Sequence, residues 1–163
     1  MIVLEISLIK LINMSTNSRI YLKLRESDKG SVVKASTVYI NVSENNFETP
    51  SVKLDGDYIS VYCHWDGYIN GVGKALFKYH NTYNHVLNML LFGYLSYVDK
   101  GISAYYAWRG EKIESWEAVK PNITNDTNLS ESYDYLFDCD TNKWYVRCEK
   151  TNKKWKDLEN YIS

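Results

Sequence analysis

The sequence has few of the residues that cross-link small secreted proteins or hold structural metals. Only 3 cysteines and 2 prolines occur among its 163 residues, and an odd cysteine count leaves no complete disulfide framework. No two cysteines have the Cys-x-x-Cys spacing of a structural zinc site. Cys139 and Cys148 fall on neighbouring predicted strands and could approach each other, but in a reducing compartment they stay thiols. We therefore expect neither a disulfide scaffold nor a metal or other cofactor.

The sequence also lacks an excess of one charge. Its 19 basic and 20 acidic residues give a formal net charge of −1, which does not favour non-specific nucleic-acid binding. The same balance excludes a strongly acidic DNA mimic. A local basic group near the C-terminus could form a nucleic-acid patch, but the preferred interpretation is the solvated face of a helix: Lys150, Lys153, Lys154 and Lys156.

A hydrophobic run long enough to cross a bilayer is missing as well. The apolar residues 1–13 are interrupted by Glu5, follow no basic segment and precede no small-residue cleavage site, so they do not resemble a secretory signal. We interpret them as an N-terminal extension before an original start at Met14. Residues 14–163 are enough for one hydrophobic core and too few for two, so we expect a single domain that binds no membrane.

Aromatic residues are abundant, with 15 tyrosines and 5 tryptophans. Such side chains can fill a core and still present a hydroxyl or an indole N–H to water. We therefore expect many of them to be half-buried on sheet faces or at an interface with a partner.

Hydrophobic periodicity predicts an α+β fold. Alternating apolar residues indicate strands, the last two of which form a hairpin: 19–24, 37–42, 58–64, 103–108, 133–139 and 144–149. Helical spacing indicates four helices: 72–79, 83–92, 114–119 and 155–162. A polar loop is expected at 121–130. Because strands come before, between and after the helices, we expect a mainly antiparallel sheet with a helical pair and a C-terminal helix packed on one face.

The segment 62–68, Tyr-Cys-His-Trp-Asp-Gly-Tyr, carries the most specific chemistry. Strand alternation places Trp65 toward the core and His64 away from it, and Asp66 would share the His64 face. A carboxylate beside an imidazole can fix its tautomer and raise its pKa, which is half of a catalytic arrangement. The alternative is a structural turn in which Asp66 caps the next helix or braces Gly67, and Trp65 fills the core.

Two further segments could add charge to this region. Glycines at 71 and 73 precede Lys74 and a helix, where backbone N–H groups can hold a phosphate. The Walker spacing is absent, however, and Ala75 replaces the hydroxyl that would bind magnesium, so tight helix-to-sheet packing is the preferred reason for the glycines. Arg109 ends a predicted strand and could bring a guanidinium to the same pocket. The candidate binding pocket for a base or a peptide comprises Tyr62, His64, Trp65, Asp66, Tyr68, Lys74, Trp108, Arg109 and Glu111.

Four blocks of the sequence resemble a widespread family of small phage and prophage proteins: 14–19, 62–68, 71–74 and 104–111. In that family a start similar to Met-Ser-Thr-Arg-Ser leads into a strand that ends in Tyr-Cys-His-Trp-Asp-Gly-Tyr. The resemblance covers roughly 14–24 and 58–149 and leaves about 25–57 as an insertion. Ile69 stands where the family usually has proline, and the loop near 99–101 is shorter than in the family.

The resemblance implies a phage-encoded accessory protein that acts in the host cytoplasm. For a protein of this size we expect an antagonist of bacterial defence, for example an anti-CRISPR-type inhibitor that contacts a host effector protein. The alternative is a sponge for a small nucleotide, or a small enzyme acting on nucleotides or nucleic acids through the His64 and Asp66 pocket. We favour binding over catalysis because no complete catalytic set is visible. Assembly of identical copies stays open.

Overall fold

The computed structural model describes residues 16–36, 49–98, 103–105, 116–148 and 152–162. The strands in these residues are β1 (Ser18–Lys23), β2 (Val32–Val33), β3 (Val52–Lys53), β4 (Tyr58–Cys63), β5 (Leu95–Val98), β6 (Ser103–Tyr105), β7 (Asn122–Thr124), β8 (Tyr133–Asp138), β9 (Lys143–Cys148) and β10 (Asn152–Asp157). Eight of them form one sheet in the order β10-β9-β8-β1-β4-β5-β6, with β7 paired to β4. β2 and β3 form a separate small sheet.

The large sheet is mixed rather than uniformly antiparallel. β1 runs parallel to β8, and β4 runs parallel to β5. The other pairings in the sheet, including β1 with β4 and the β8–β9 hairpin, are antiparallel. The predicted α+β class is confirmed, with a core built mainly on the sheet.

Two helices contribute buried side chains to the main core together with the sheet. α1 (Lys74–Tyr79) and α2 (Tyr83–Leu91) follow β4, and the short α3 (Trp116–Val119) precedes β7. α2 packs on β1 and β4, where alternate side chains face the helix. The main apolar cluster contains buried side chains of strands and of helices, including Ile20, Leu22, Ile59, Val61, Leu76, Val86, Met89, Tyr135 and Phe137. Each contributes about 1.5–3 kcal/mol by leaving water.

The other face of the sheet carries a row of charged residues under a loop. Arg19 on β1 lies opposite Asp134 on β8, and Asp134 lies opposite Arg147 on β9. The loop 125–132, here called the strap, covers this row, and Arg147 donates to the hydroxyl of Thr127 at 3.2 Å. Buried charges lose their hydration and therefore need such partners. The strap supplies them.

The predicted C-terminal helix at 155–162 is wrong. Residues Asn152–Asp157 instead form β10, an antiparallel neighbour of β9, and only Leu158–Tyr161 make a helical turn, of the 3-10 type. Trp155 is half-buried between the exposed Lys154 and Lys156, which is the two-residue period of a strand. The lysines therefore lie on an edge strand, where their charge opposes pairing with other chains.

Other local expectations also change. β5 was not expected, and β7 lies inside the segment predicted to be a polar loop. The cysteines of the hairpin do not approach each other, because Cys148 pairs across from Tyr133 while Cys139 follows Asp138 at the opposite end. Residues 1–13 and the predicted strand at 37–42 lie outside the described residues.

The segment interpreted as an insertion, 25–57, contributes to the core where it is described. Leu54 is fully buried within the main apolar cluster, and Val33 and Val52 pack against it. The backbone of Leu54 also exchanges hydrogen bonds with Ser31 and Gly30, at 2.9 and 2.8 Å. This segment is therefore attached to the domain through apolar packing as well as backbone bonds.

Within the described part of the chain, no helix combines the length and apolarity needed to cross a membrane. The longest helix there, α2, has 9 residues, whereas a helical span needs about 20.

Candidate functional site

The segment 62–68 leaves β4 and turns beside β5. β4 ends at Cys63, and the backbone N–H groups of His64 and Trp65 donate to the carbonyls of Leu95 and Ser96, at 3.0 and 2.9 Å. Asp66 then adopts a left-handed backbone with φ of 57°, which is uncommon for a residue with a side chain. The strand geometry therefore stops before Trp65, although the backbone stays tied to the sheet.

Three glycines hold this turn close to the rest of the chain. A Cβ on Gly67 would lie 2.5 Å from the carbonyl oxygen of Asn17, and one on Gly73 would lie 3.1 Å from the ring of Tyr135. A Cβ on Gly71 would collide with the backbone of Asp66. The buried hydroxyl of Tyr135 donates to the carbonyl of Gly67 at 2.7 Å. Close packing therefore accounts for the glycines, as preferred over a phosphate loop.

The side chain of Trp65 does not fill the core as predicted. It is 37% exposed, because the alternation that would direct it inward ends with β4 at Cys63. Its ring meets the imidazole of His64 edge-on, with centroids 4.4 Å apart. Trp65 is therefore a surface aromatic that is fixed by its backbone and by His64.

His64 and Tyr62 share the face of β4 that points away from the main core. The hydroxyl of Tyr62 and Nδ1 of His64 are hydrogen-bonded at 2.7 Å. Burial raises the pKa of Tyr62, so its hydroxyl keeps its proton at neutral pH. The ring of Tyr94, 5.7 Å from that of Tyr62 between centroids, continues this group. The four side chains Tyr62, His64, Trp65 and Tyr94 are here called the aromatic cluster.

The backbone carbonyls of Asp66 and Tyr68 accept hydrogen bonds within the turn. The carbonyl of Asp66 accepts from the N–H of Val72 at 2.8 Å, and the carbonyl of Tyr68 accepts from Gly71 at 3.0 Å. A turn of π-helix, Ile69–Gly73, intervenes before α1, and the residues at the two N-cap positions, Tyr68 and Gly73, make no side-chain cap. Asp66 therefore occupies neither N-cap position, and the expectation that its side chain braces the turn at Gly67 stays a prediction. The argument that Asp66 shares a strand face with His64 fails, because the strand has ended.

The remaining predicted pocket residues divide into two groups. Lys74 is half-buried and is the first residue of α1, a helix of only 6 residues. Trp108, Arg109 and Glu111 lie outside the described residues, so their contribution to a pocket stays a prediction.

Arg19 lies beside the aromatic cluster and was not identified from the sequence. Arg19 is only 5% exposed. Its guanidinium donates to the hydroxyl of Ser60 at 3.1 Å and to Oδ1 of Asn122 at 3.0 Å. It also pairs with Glu131 of the strap at 3.3 Å and lies 5.9 Å from the centroid of the Tyr94 ring. Strand alternation in the sequence does place Arg19 on the face of Tyr62, but nothing in the sequence indicates that this face is covered.

One group of potential metal ligands occurs in the described residues, at the turn of the β8–β9 hairpin. The ligand atoms of Asp138, Cys139 and Asp140 lie within 4.8 Å of one another. Burial, followed by the neighbouring carboxylates, raises the pKa of Cys139, which disfavours the thiolate that a metal needs. Lys23 already pairs with Asp140 at 2.5 Å. The chemistry of this donor set therefore does not favour a metal.

Comparison with known proteins gives no family assignment. No family model matches the chain, and no curated protein or solved structure matches it significantly. The resemblance to small phage proteins therefore stays a prediction, and function has to be argued from the chemistry of the molecule.

Proposed function

We propose that this protein is an accessory binding protein that engages a partner protein through the aromatic cluster, with Trp65 as the main anchor. The observation that carries the proposal is the exposure of Trp65 on a turn whose backbone is fixed. Trp65 presents 37% of its surface to water, while hydrogen bonds to β5 and the edge-on contact with His64 hold it in place.

The physical chemistry of interfaces supports this use of the cluster. Tryptophan, tyrosine and arginine dominate the binding energy of protein interfaces, and an anchor that is already ordered loses little side-chain entropy on binding. The buried contacts of Arg19 beneath Tyr94 keep the support of the cluster rigid. A nearly neutral chain also suits a protein partner better than a nucleic acid.

The proposed partner is an effector of bacterial defence, and the protein would act as an inhibitor in the host cytoplasm. This part of the proposal is supported by the resemblance of the segment 62–68 to small phage proteins. Inhibition by contact requires a complementary surface and no catalytic residues, which agrees with a cluster of aromatic side chains around a single imidazole.

The first prediction tests Trp65 in cells and in solution. Trp65→Ala should fold normally and lose the ability to protect phage from a defence system that the parent protein inhibits. Because an anchoring tryptophan contributes about 2 kcal/mol or more, affinity for the inhibited effector should fall by about 30-fold or more. Plating efficiency measures the first effect, and titration calorimetry with the purified effector measures the second.

Tyr161→Ala is the matched control, because Tyr161 is another exposed aromatic, at 46%, and lies outside the aromatic cluster. It should behave as the parent in both assays. Equal binding by parent and Trp65→Ala would contradict the proposal. A nucleotide released from the purified protein on heating would favour the sponge instead.

A further inference from the structure

A groove of about 290 Å³ opens at the end of the β8–β9 hairpin, at residues not included in the aromatic cluster. Its apolar lining comes from the half-buried Phe77 of α1 and, beneath it, from the buried Phe137 of β8 and Trp144 of β9. The rings of Phe137 and Trp144 pack edge-on with centroids 5.3 Å apart. The indole N–H of Trp144 donates to the carbonyl of His80 at 2.8 Å, which fixes the hairpin to the end of α1. The groove is therefore formed before any ligand arrives.

The rim of the groove is polar and carries more negative than positive charge. It contains Asn81, Asn142, Lys143, Asp157 and Glu159. Lys143 lies 3.5 Å from Asp157, so this pair nearly cancels. In the described part of the chain no cation pairs with Glu159, and its carboxylate therefore sets the charge of the rim.

This combination matches an amphipathic cation. Arginine and lysine side chains bury an apolar stem and keep their charged end in water, which corresponds to an apolar groove with an acidic rim. A guanidinium fits better than a compact ammonium, because it donates in several directions and the rim offers amide oxygens beside the Glu159 carboxylate. The same charge disfavours a phosphate group. A volume of about 290 Å³ is at the lower end of small-molecule pockets and suits one side chain.

We propose that this groove binds an alkyl guanidinium group, as carried by an arginine residue of a polypeptide. The stem of the arginine lies against the half-buried ring of Phe77, and the guanidinium pairs with Glu159. This proposal is separate from the binding function of the aromatic cluster, and either can fail without the other.

The test uses N-acetyl-arginine methylamide as the probe and N-acetyl-citrulline methylamide as its uncharged analogue of the same shape. Backbone and indole N–H signals of the ¹⁵N-labelled full chain are followed by NMR during titration. We expect the arginine probe to move the signals of Asn81, Lys143 and the Trp144 indole, with a dissociation constant of about a millimolar. The citrulline probe should bind more weakly. Agmatine, a free alkyl guanidinium, separates a requirement for the peptide backbone from recognition of the cation alone.

Glu159→Gln removes the charge of the rim and keeps the shape of the side chain. It should weaken the arginine probe by about two- to fivefold, as expected for a solvent-facing ion pair, and leave the citrulline probe unchanged. Glu117→Gln is the control, because Glu117 is an exposed acid on α3 that does not line the groove. It should bind both probes as the parent does.

Three results would overturn the proposal. They are equal affinities for the arginine and citrulline probes, an unchanged arginine affinity in Glu159→Gln, and signal changes confined to residues outside the groove. Tighter binding of agmatine than of the peptide probe would assign the groove to a free cation instead of a polypeptide. A melting curve of Glu159→Gln that matches the parent excludes misfolding as the cause of weaker binding.

Discussion

The carboxylate of Asp134 is only 1% exposed and connects the sheet to the strap. It accepts from Nε of Arg147 at 2.8 Å, from the hydroxyl of Ser130 at 2.8 Å and from the N–H of Glu131 at 2.9 Å. These donors come from β9 and from the strap. A single side chain therefore organises the charged face of the sheet.

The second prediction concerns this carboxylate. Asp134→Ala should lower the free energy of unfolding by about 3–5 kcal/mol, because it leaves a largely buried guanidinium without its anion. Asp140→Ala, which removes an exposed acid paired with Lys23, should leave stability unchanged within error. Urea denaturation of both variants measures the difference. Similar stabilities would mean that Arg147 finds other partners when the strap relaxes.

Residues at the aromatic cluster explain where sequence reasoning succeeded and where it failed. The segment 62–68 could be identified, and the face of His64 followed from alternation. Trp65 could not be placed, because its exposure depends on where β4 ends and on hydrogen bonds to β5. The burial of Arg19 depends on a strap more than 100 residues away, and no local pattern encodes such a cover.

At the scale of elements, strongly periodic segments were predictable and short ones were not. β1, β4, α2 and the β8–β9 hairpin follow their apolar periods. β5 and β7 have four and three residues, too few for a clear period, and they are stabilised by pairing with β4. The alternation of β10 was hidden because Trp155 and Leu158 also satisfy a helical spacing.

The third prediction separates two roles of glycine in these elements. Gly67 has no space for a Cβ, so Gly67→Ala and Gly67→Asn should both destabilise the protein, by about 1–3 kcal/mol or more. Gly30 has open space but a φ of 81°. Because asparagine tolerates that conformation better than alanine, Gly30→Asn should be more stable than Gly30→Ala. Thermal melting compares the four variants, and a milder effect at Gly67 than at Gly30 would contradict this assignment.

The fourth prediction tests the anchor beneath the same turn. Tyr135→Phe should cost about 1–3 kcal/mol, because it leaves the buried carbonyl of Gly67 without the 2.7 Å hydrogen bond. Tyr145→Phe removes an exposed hydrogen bond to Thr141 and should change stability little. Chemical denaturation provides the comparison. Equal midpoints for both variants would show that water or another donor replaces the Tyr135 hydroxyl.

At the scale of the molecule, stability comes from apolar and polar layers on opposite faces of one sheet. No covalent link is expected to add to them, since Cys139 and Cys148 lie at opposite ends of their hairpin.

The fifth prediction follows from that placement. Addition of a reducing agent should leave the melting temperature unchanged. The double substitution Cys139→Ser and Cys148→Ser should lower the free energy of unfolding only by what the exchange of half-buried thiols for hydroxyls costs, roughly 1–3 kcal/mol in total. Differential scanning fluorimetry with and without dithiothreitol is sufficient. A lower melting temperature in reductant alone would contradict the pairing register of the hairpin.

The parallel pairing of β1 with β8 has a consequence for synthesis of the protein. At its N-terminal end it brings Asn17 within hydrogen-bonding distance of Ser132, 115 residues later. The ribosome therefore adds more than 100 residues after β1 before the middle of the sheet can close, and contacts of such separation slow folding. Until then the backbone N–H and C=O groups along one edge of β1 are unpaired and open to other nascent chains. We expect the refolding yield to fall as the protein concentration rises. We also expect chaperones to protect the chain until the β8–β9 hairpin binds to β1.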